Sequence, residues 1–393
     1  MKPYGPFVPP LQKVGMLAMT MVVSACLVKG SSHGASEGQG QNAFQDHPAL
    51  NAEDPPSAQV GEMEKVVAIS RQINEIQRMK AAQNGGLDRG FHAKSHICVE
   101  ARLRVLAERP EETRHGIFAE ERSYPAWIRF SNAQSAKQSD AVPDIRGFAL
   151  KVMGVEGPKL MRDQEDAKTQ DFLAINQPVL FVKDGLEFMN FQMALARGGI
   201  SLASYMLTHP RVAVRLIAHL RSVKSVLLEP YWSTVPSLLG PRAIKFRFFP
   251  CSNQNPSTPQ QPQGDNPLHS EAVERLQKES VCYDLAVQFQ RDAVKQPVED
   301  ATVEWKESDT PFVRVAQVTI AQMNLNQEES KNKTDFCNQL NWNPWHSLKA
   351  HRPLGSINRL RMLSMRESQK YRGWSTLPKE PDGSEFQGSD TPK

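Results

Sequence analysis

The sequence has no uninterrupted apolar run long enough to span a bilayer, so the usual signature of a transmembrane helix is missing. It has no block of like charge: 47 Lys and Arg face 43 Asp and Glu, a net charge of +4, with the cations scattered along the chain. That distribution gives no support to a nucleic-acid partner. The five cysteines, Cys26, Cys98, Cys251, Cys282 and Cys337, contain no CxxC pair and no finger-type ligand spacing, which excludes the common structural zinc sites. Internal repeats are absent. Aromatic residues are sparse, and the six tyrosines can be examined one by one. What the chain does have is apolar material, 39% of 393 residues, enough for one large domain or two ordinary ones.

The N-terminus reads as an export signal. Lys2 and Lys13 precede an apolar run from Val14 to Val28, the length of a signal-peptide core and too short to span a membrane comfortably. The run contains Val23-Ser24-Ala25-Cys26, which resembles a bacterial lipobox. Small residues there admit the backbone into a peptidase cleft, and the thiol accepts the lipid. Residues 1–26 are therefore expected to be a signal with lipidation at Cys26, and an ordinary cleaved signal or a cytosolic protein with a mis-assigned start are the alternatives. Residues 27–60, rich in Gly, Ser, Gln, Asp and Pro, read as a flexible tether. The location expected is the periplasm or cell envelope, anchored to the membrane.

Apolar Val66, Ile69, Ile73, Ile76 and Met79 recur at helical spacing between Glu62 and Gln83, and Gly85-Gly86 stops the run. Short apolar or alternating segments predict strands over His96–Leu106, Ala126–Ser131, Gly147–Val155, Gln177–Lys183, Cys282–Gln290 and Val313–Met323. Asp184–Val223 reads as helical, broken near Gly198-Gly199 and at Pro210, and Leu354–Arg372 as a further helix. Residues 251–268 look like a surface loop and 374–393 like a disordered tail, leaving 61–373 as the folded domain. Cys98 and Cys337, inside apolar segments, are expected as buried free thiols. Short strands followed by helices indicate an α+β fold with an antiparallel β-barrel core.

The chemistry-bearing motifs occur in a definite order. They are Arg89-Gly90-Phe91-His92-Ala93-Lys94, Trp127-Ile128-Arg129-Phe130-Ser131-Asn132, Pro143-Asp144-Ile145-Arg146-Gly147-Phe148, Ile175-Asn176-Gln177-Pro178, Asn343-Pro344-Trp345-His346 and Gly355-Ser356-Ile357-Asn358-Arg359-Leu360-Arg361. In this order they resemble the catalase superfamily over roughly residues 60 to 373, and its small bacterial catalase-related peroxidases more closely. The resemblance implies a catalase-like barrel, haem b as cofactor, and hydrogen peroxide or organic hydroperoxides as substrates with an unknown reductant.

Residue by residue, the resemblance puts His92 in the role of proton shuttle, first base and then acid. Ser131 would fix the imidazole tautomer, and Asn176 would orient peroxide. Arg89 and Arg129 would hold the haem propionates, since a guanidinium fork suits a carboxylate. Arg129 and Ser131, two apart on a strand, share a face. Phe181 would pack on the haem. An isolated histidine is as readily structural, which is the reading for His96, and Arg146 reads as a buried ion-pair residue.

The departure from the family lies on the proximal side. Arg361 is present, but four residues on, where the family has its iron-binding tyrosine, this chain has Met365. Arg361 and Met365 share a helix face. The tyrosine nearest in sequence, Tyr371, lies ten residues past Arg361. A thioether is neutral and soft, and favours ferrous over ferric iron. Haem with a Met365 ligand, haem held by propionate and apolar contacts, and an empty pocket all stay open. The expected function is a haem-binding hydroperoxidase of weak activity, with a non-enzymatic haem-binding lipoprotein or a haem-free structural relative as alternatives. Homo-oligomerisation is left open. If Cys26 carries lipid, the mature protein begins at Cys26 and fractionates with membranes, and Cys26→Ala releases it; soluble protein with Met1 intact would end this reading.

Overall fold

The computed structural model describes residues 89–372, apart from 135–136, 162–163, 253–256 and 260–263, together with five positions between 68 and 78. The expected signal, Cys26, the tether and the tail lie outside the described residues. Of the expected helix over 62–83, the five described positions are helical and exposed.

Nine strands form one antiparallel sheet. They are β1 (Ser95–Val105), β2 (Ser123–Asn132), β3 (Arg146–Met153), β4 (Thr169–Ile175), β5 (Tyr231–Trp232), β6 (Ser237–Leu239), β7 (Arg242–Pro250), β8 (Val281–Phe289) and β9 (Val313–Ile320). The order β5-β4-β3-β2-β1-β9-β8-β7 closes on itself because β5 also pairs with β7, and β6 extends the β7 edge. Eight strands thus make a closed barrel, an arrangement that leaves no open edge in the ring. Around it stand α1 (Gly185–Ala196), α2 (Gly199–Thr208), α3 (Pro210–His219), α4 (Pro267–Lys278), α5 (Glu328–Gln339) and α6 (Ser356–Tyr371). The architecture is the expected α+β barrel with surrounding helices.

Alternation along the strands decides what faces inward. Ile128, Phe130, Phe148, Leu150, Phe172 and Ala174 belong to the barrel core, and their partners across the sheet match: Phe130 lies opposite Phe148, and Phe148 opposite Ala174. Phe148 sits amid other rings, 4.4 Å from Phe248, 5.1 Å from Tyr231 and 5.2 Å from Phe130 between centroids. Tyr231 and Tyr283 bury their rings here and donate their hydroxyls to the Val226 and Leu227 carbonyls, each at 2.6 Å.

Several sequence expectations are corrected. Residues 177–183 are irregular and the strand is β4, just before them. Gln170 and Asp171 disguise it, because such residues seldom lie buried in a strand. Here Asp171 accepts from Lys151, opposite it on β3, at 2.7 Å, and His346 Nδ1 lies 3.0 Å away. The strand at Arg242–Pro250 and the helices α4 and α5 had no sequence expectation, and α4 begins inside the loop expected over 251–268. The helical stretch after Asp184 does break where expected, into α1, α2 and α3.

Cys98 and Cys337 are not free thiols. They form a disulfide, as do Cys251 and Cys282, with Cα separations of 5.6 and 5.5 Å. The first joins β1 to α5 across 239 residues, a proximity that only the folded chain creates. Cross-linking so long a loop restricts the unfolded chain, so replacing both Cys98 and Cys337 by Ala should lower the unfolding free energy by about 3 kcal/mol. Denaturant titration of the variant and the parent, without reductant, measures the difference.

Candidate active site on the outer face of the barrel

Residues that alternate with the inward Phe130 and Phe148 face away from the barrel core. Ser131 lies opposite Gly147, and Gly147 opposite Ile175, so β2, β3 and β4 present one row at this level. His92 enters from the segment before β1 with φ of 55°, a conformation uncommon outside glycine. Its backbone N–H donates to Ala133 O at 3.1 Å, and its Nδ1 lies 3.0 Å from Ser131 Oγ.

Gly147 makes this contact possible. A Cβ at that position would stand 2.5 Å from His92 Nδ1 and 2.8 Å from Ser131 Oγ. The imidazole therefore lies directly over backbone that no other residue leaves bare. The sequence contains Gly147 inside a recognised motif, yet its role appears only when β2, β3 and His92 meet.

Electrostatics fixes the state of His92. Burial first, then the charges of Arg129, Arg361 and Arg89, push its pKa down to about 3. The imidazole is neutral at ordinary pH, the form able to accept a proton. The three cations that act on it are those expected to face a haem, and they bring together β2, α6 and the segment before β1.

Two of these arginines are positioned by α5. Arg89 Nη2 donates to the carbonyls of Asn338 and Leu340, both at 2.7 Å, at the C-terminal end of that helix, where unsatisfied carbonyls favour a cation. Arg129 Nε donates to Asn338 Oδ1 at 3.3 Å and its Nη2 to Ala93 O at 3.2 Å. The Cys98–Cys337 disulfide holds the same end of α5 against β1. This support was invisible in sequence, since no motif links residue 338 to residues 89 and 129.

Asn176 stands one residue past β4. Its Oδ1 accepts from Arg146 N at 2.8 Å, and its Nδ2 donates to Glu229 Oε2 at 3.4 Å. Among the described residues it hydrogen-bonds neither His92 nor Ser131. Glu229, also paired with Arg221 at 2.6 Å, is a neighbour that sequence reasoning missed. Arg146 is fully buried as expected, though its side chain donates to the Asn132 side-chain oxygen and to the Asp140 and Val142 carbonyls, and His96 bonds Asn132 Oδ1 at 2.8 Å. Phe181 packs edge-on against Phe191 at 4.9 Å, within an apolar cluster that includes Ile145, Ile175 and Ile357.

The helix α6 supplies Arg361 and Met365. Its start is pinned by Glu299, which accepts from Ser356 N at 2.9 Å and from both Nη atoms of Arg359 at 3.0 and 3.1 Å. Gly355, at φ 84°, precedes it; a Cβ there would lie 2.7 Å from Val298 O. Burial pushes the Arg361 guanidinium down to about 10, and its Nη1 donates to Asn358 Oδ1 at 3.2 Å. A narrow cleft of about 30 Å³ opens beside Arg361, lined also by Leu173, Ser233, Ser237, His351 and Asn358. His92 and Met365 do not line it. Met365 is half-buried one turn beyond Arg361.

The family model described as Catalase matches residues 61–200, the stretch that carries His92, Ser131, Gly147 and Asn176. Over that stretch the chain is similar to the catalase family. Its fold is similar to those of a fungal catalase (16% identity over 74% of this chain and 61% of that one, TM-score 0.57) and a bacterial catalase (16%, 72% and 57%, 0.54). Catalase A from Saccharomyces cerevisiae is similar too, at 16% identity over 72% of this chain and 61% of the yeast protein, with a TM-score of 0.56. The chain thus spans about three-fifths of the length of these catalases. No curated protein sequence matches it.

If Gly147 is what admits the imidazole, Gly147→Ala must displace His92 while the buried strand pairs around it persist. The expected result is a near-native thermal midpoint with a shifted His92 ring resonance in NMR; unchanged His92 shifts would disprove the close contact.

Proposed function

We propose that this protein is a haem-binding hydroperoxidase acting on hydrogen peroxide or organic hydroperoxides, of the small catalase-related branch. The observation that carries the reading is the neutral His92 held 3.0 Å from Ser131 over Gly147, within the field of three arginines. A site with that excess of positive charge suits a ligand bearing two carboxylates, which is what haem offers. Arg89 and Arg129 would hold the propionates, Phe181 would pack against the ring, and Arg361 and Met365 would contribute from α6.

Bound haem would supply the redox chemistry of peroxide cleavage. The protein's part is proton transfer and positioning. With Nδ1–H donating to Ser131 Oγ, Nε2 of His92 carries the lone pair that takes a proton from peroxide and returns it to the leaving oxygen. Ser131 holds the ring at one angle for both transfers. Asn176 would orient the substrate through its amide, already fixed by Arg146 N and Glu229. Two propionates beside Arg89 and Arg129 would offset the cations that depress His92, and so raise its basicity toward the useful range.

Met365 weakens the case for turnover. A thioether cannot donate charge to iron as a phenolate does, so catalatic activity should be low. A second reading, a haem-free structural relative or a haem-binding lipoprotein without activity, is favoured by the thioether of Met365 where the family's phenolate would be. We also assign the protein to the cell envelope, anchored at Cys26, on the lipobox-like sequence.

Titrating the purified protein with haem separates these readings. A Soret band with one haem per chain supports the haem site, and its absence leaves the structural relative. His92→Ala should keep the band and lower peroxide turnover by about two to four orders of magnitude. Met365→Tyr should give a phenolate-type ferric spectrum and raise catalatic activity. If neither variant alters spectrum or turnover, His92 and Met365 do not face iron.

A further inference from the structure

The helices α2 and α3 leave apolar residues in water on a scale seen almost nowhere else in the described residues. Ile200 is 85% exposed, Leu207 83%, Val214 68% and Ile217 70%. On α2 the exposed positions Ile200, Ala203, Ser204 and Leu207 follow the spacing i, i+3, i+4, i+7, a continuous stripe along one face. On α3, Val214, Ile217 and Ala218 form the outer stripe, while Val212 and His219 are buried on the inner side. Leu220 continues the exposed run. Single exposed apolar residues are ordinary, but two successive stripes on adjoining helices mark a surface that meets something.

Charge says what it meets. From residue 188 to residue 228 there is no acidic residue, and there are five cations: Arg197, Arg211, Arg215, Arg221 and Lys224. Arg221 is neutralised by Glu229. Arg197, Arg211, Arg215 and Lys224 form no ion pair among the described residues. A second copy of this chain fits poorly, because a two-fold interface would set these four cations against the same four with no carboxylate on either side. Apolar stripes bordered by arginines on short surface helices match an in-plane contact with anionic lipid, in which the aliphatic side chains enter the headgroup boundary and the cations meet phosphate.

We propose that α2 and α3 form a docking surface for an anionic membrane. The proposal rests on these two helices alone, and neither haem binding nor acylation at Cys26 is needed for it. If the chain is also lipid-anchored, the helices set the orientation of the barrel on the bilayer.

The test uses the full chain carrying Cys26→Ser, so that no acyl group contributes, with Ile217→Cys bearing an environment-sensitive fluorophore. The other four cysteines are disulfide-bonded, which leaves the new thiol to react. Vesicles of phosphatidylcholine with phosphatidylglycerol should shift the emission to the blue, and phosphatidylcholine alone should bind at least about 10-fold more weakly. The same label at Val294→Cys, 89% exposed and outside α2 and α3, should not respond. Arg211→Glu with Arg215→Glu, followed without label by vesicle sedimentation, should weaken binding by about 25-fold or more, from roughly fivefold for each cation lost. Unchanged circular dichroism would show that these variants fold. Equal binding by the charge-reversed and parent chains, equal response at 217 and 294, or a dimer in light scattering that shields the 217 label without vesicles would each overturn the proposal.

Discussion

Side chains on β2, β3 and β4 alternate between the barrel core and the outer surface, and the remaining architecture depends on that two-residue period. Phe130, Phe148 and Ala174 fill the interior. Their neighbours Ser131, Gly147 and Ile175 are thereby turned outward in one row. A register slip of one residue would exchange the two sets, placing phenylalanine where the imidazole lies and a hydroxyl in the apolar core. The ring of eight strands opposes such a slip, since each strand of the ring is paired on both sides.

The outer row is then covered, and the covering decides its chemistry. The end of α5 is fixed to β1 by Cys98–Cys337, and its last carbonyls hold Arg89. The segment 342–346 closes over Lys151 and Asp171, whose side chains are fully buried. Burial alone would raise the Asp171 carboxyl, but Lys151 and His346 outweigh it and hold the group below its ordinary value. A buried pair of this kind is weak evidence of stability, because desolvation opposes the Coulomb gain. Its consequence here is geometric: the backbone N–H of Asn343 donates to Asp171 at 2.8 Å, which ties the covering segment to β4.

The site is asymmetric. On the one side His92 and Ser131 lie together in the field of Arg129, Arg361 and Arg89. On the α6 side a guanidinium is present, while the residue one turn on is a thioether. Proton transfer needs only His92 and its support, whereas charge donation to iron needs a phenolate.

Much of this was legible in sequence. The strands β1, β2, β3, β8 and β9 show alternation or short apolar runs between turn residues, and Gly198-Gly199 and Pro210 mark the helix breaks through backbone chemistry alone. That His92, Ser131 and the arginines at 89, 129 and 361 fall near one another was legible through motif order. The strand β4 was hidden because Asp171 reads as a surface residue until Lys151 and His346 are brought to it. The disulfides, the hold of Asn338 on Arg129 and the capping of α5 by Arg89 join residues more than two hundred positions apart, or cysteines whose spacing specifies no pairing. Local sequence determines which residues can sit in a strand, end a helix or carry a proton, because those properties follow from each residue and its near neighbours. Which of them meet is decided by barrel closure and by the segments packed over it, since contact between distant residues exists only once the whole chain has folded.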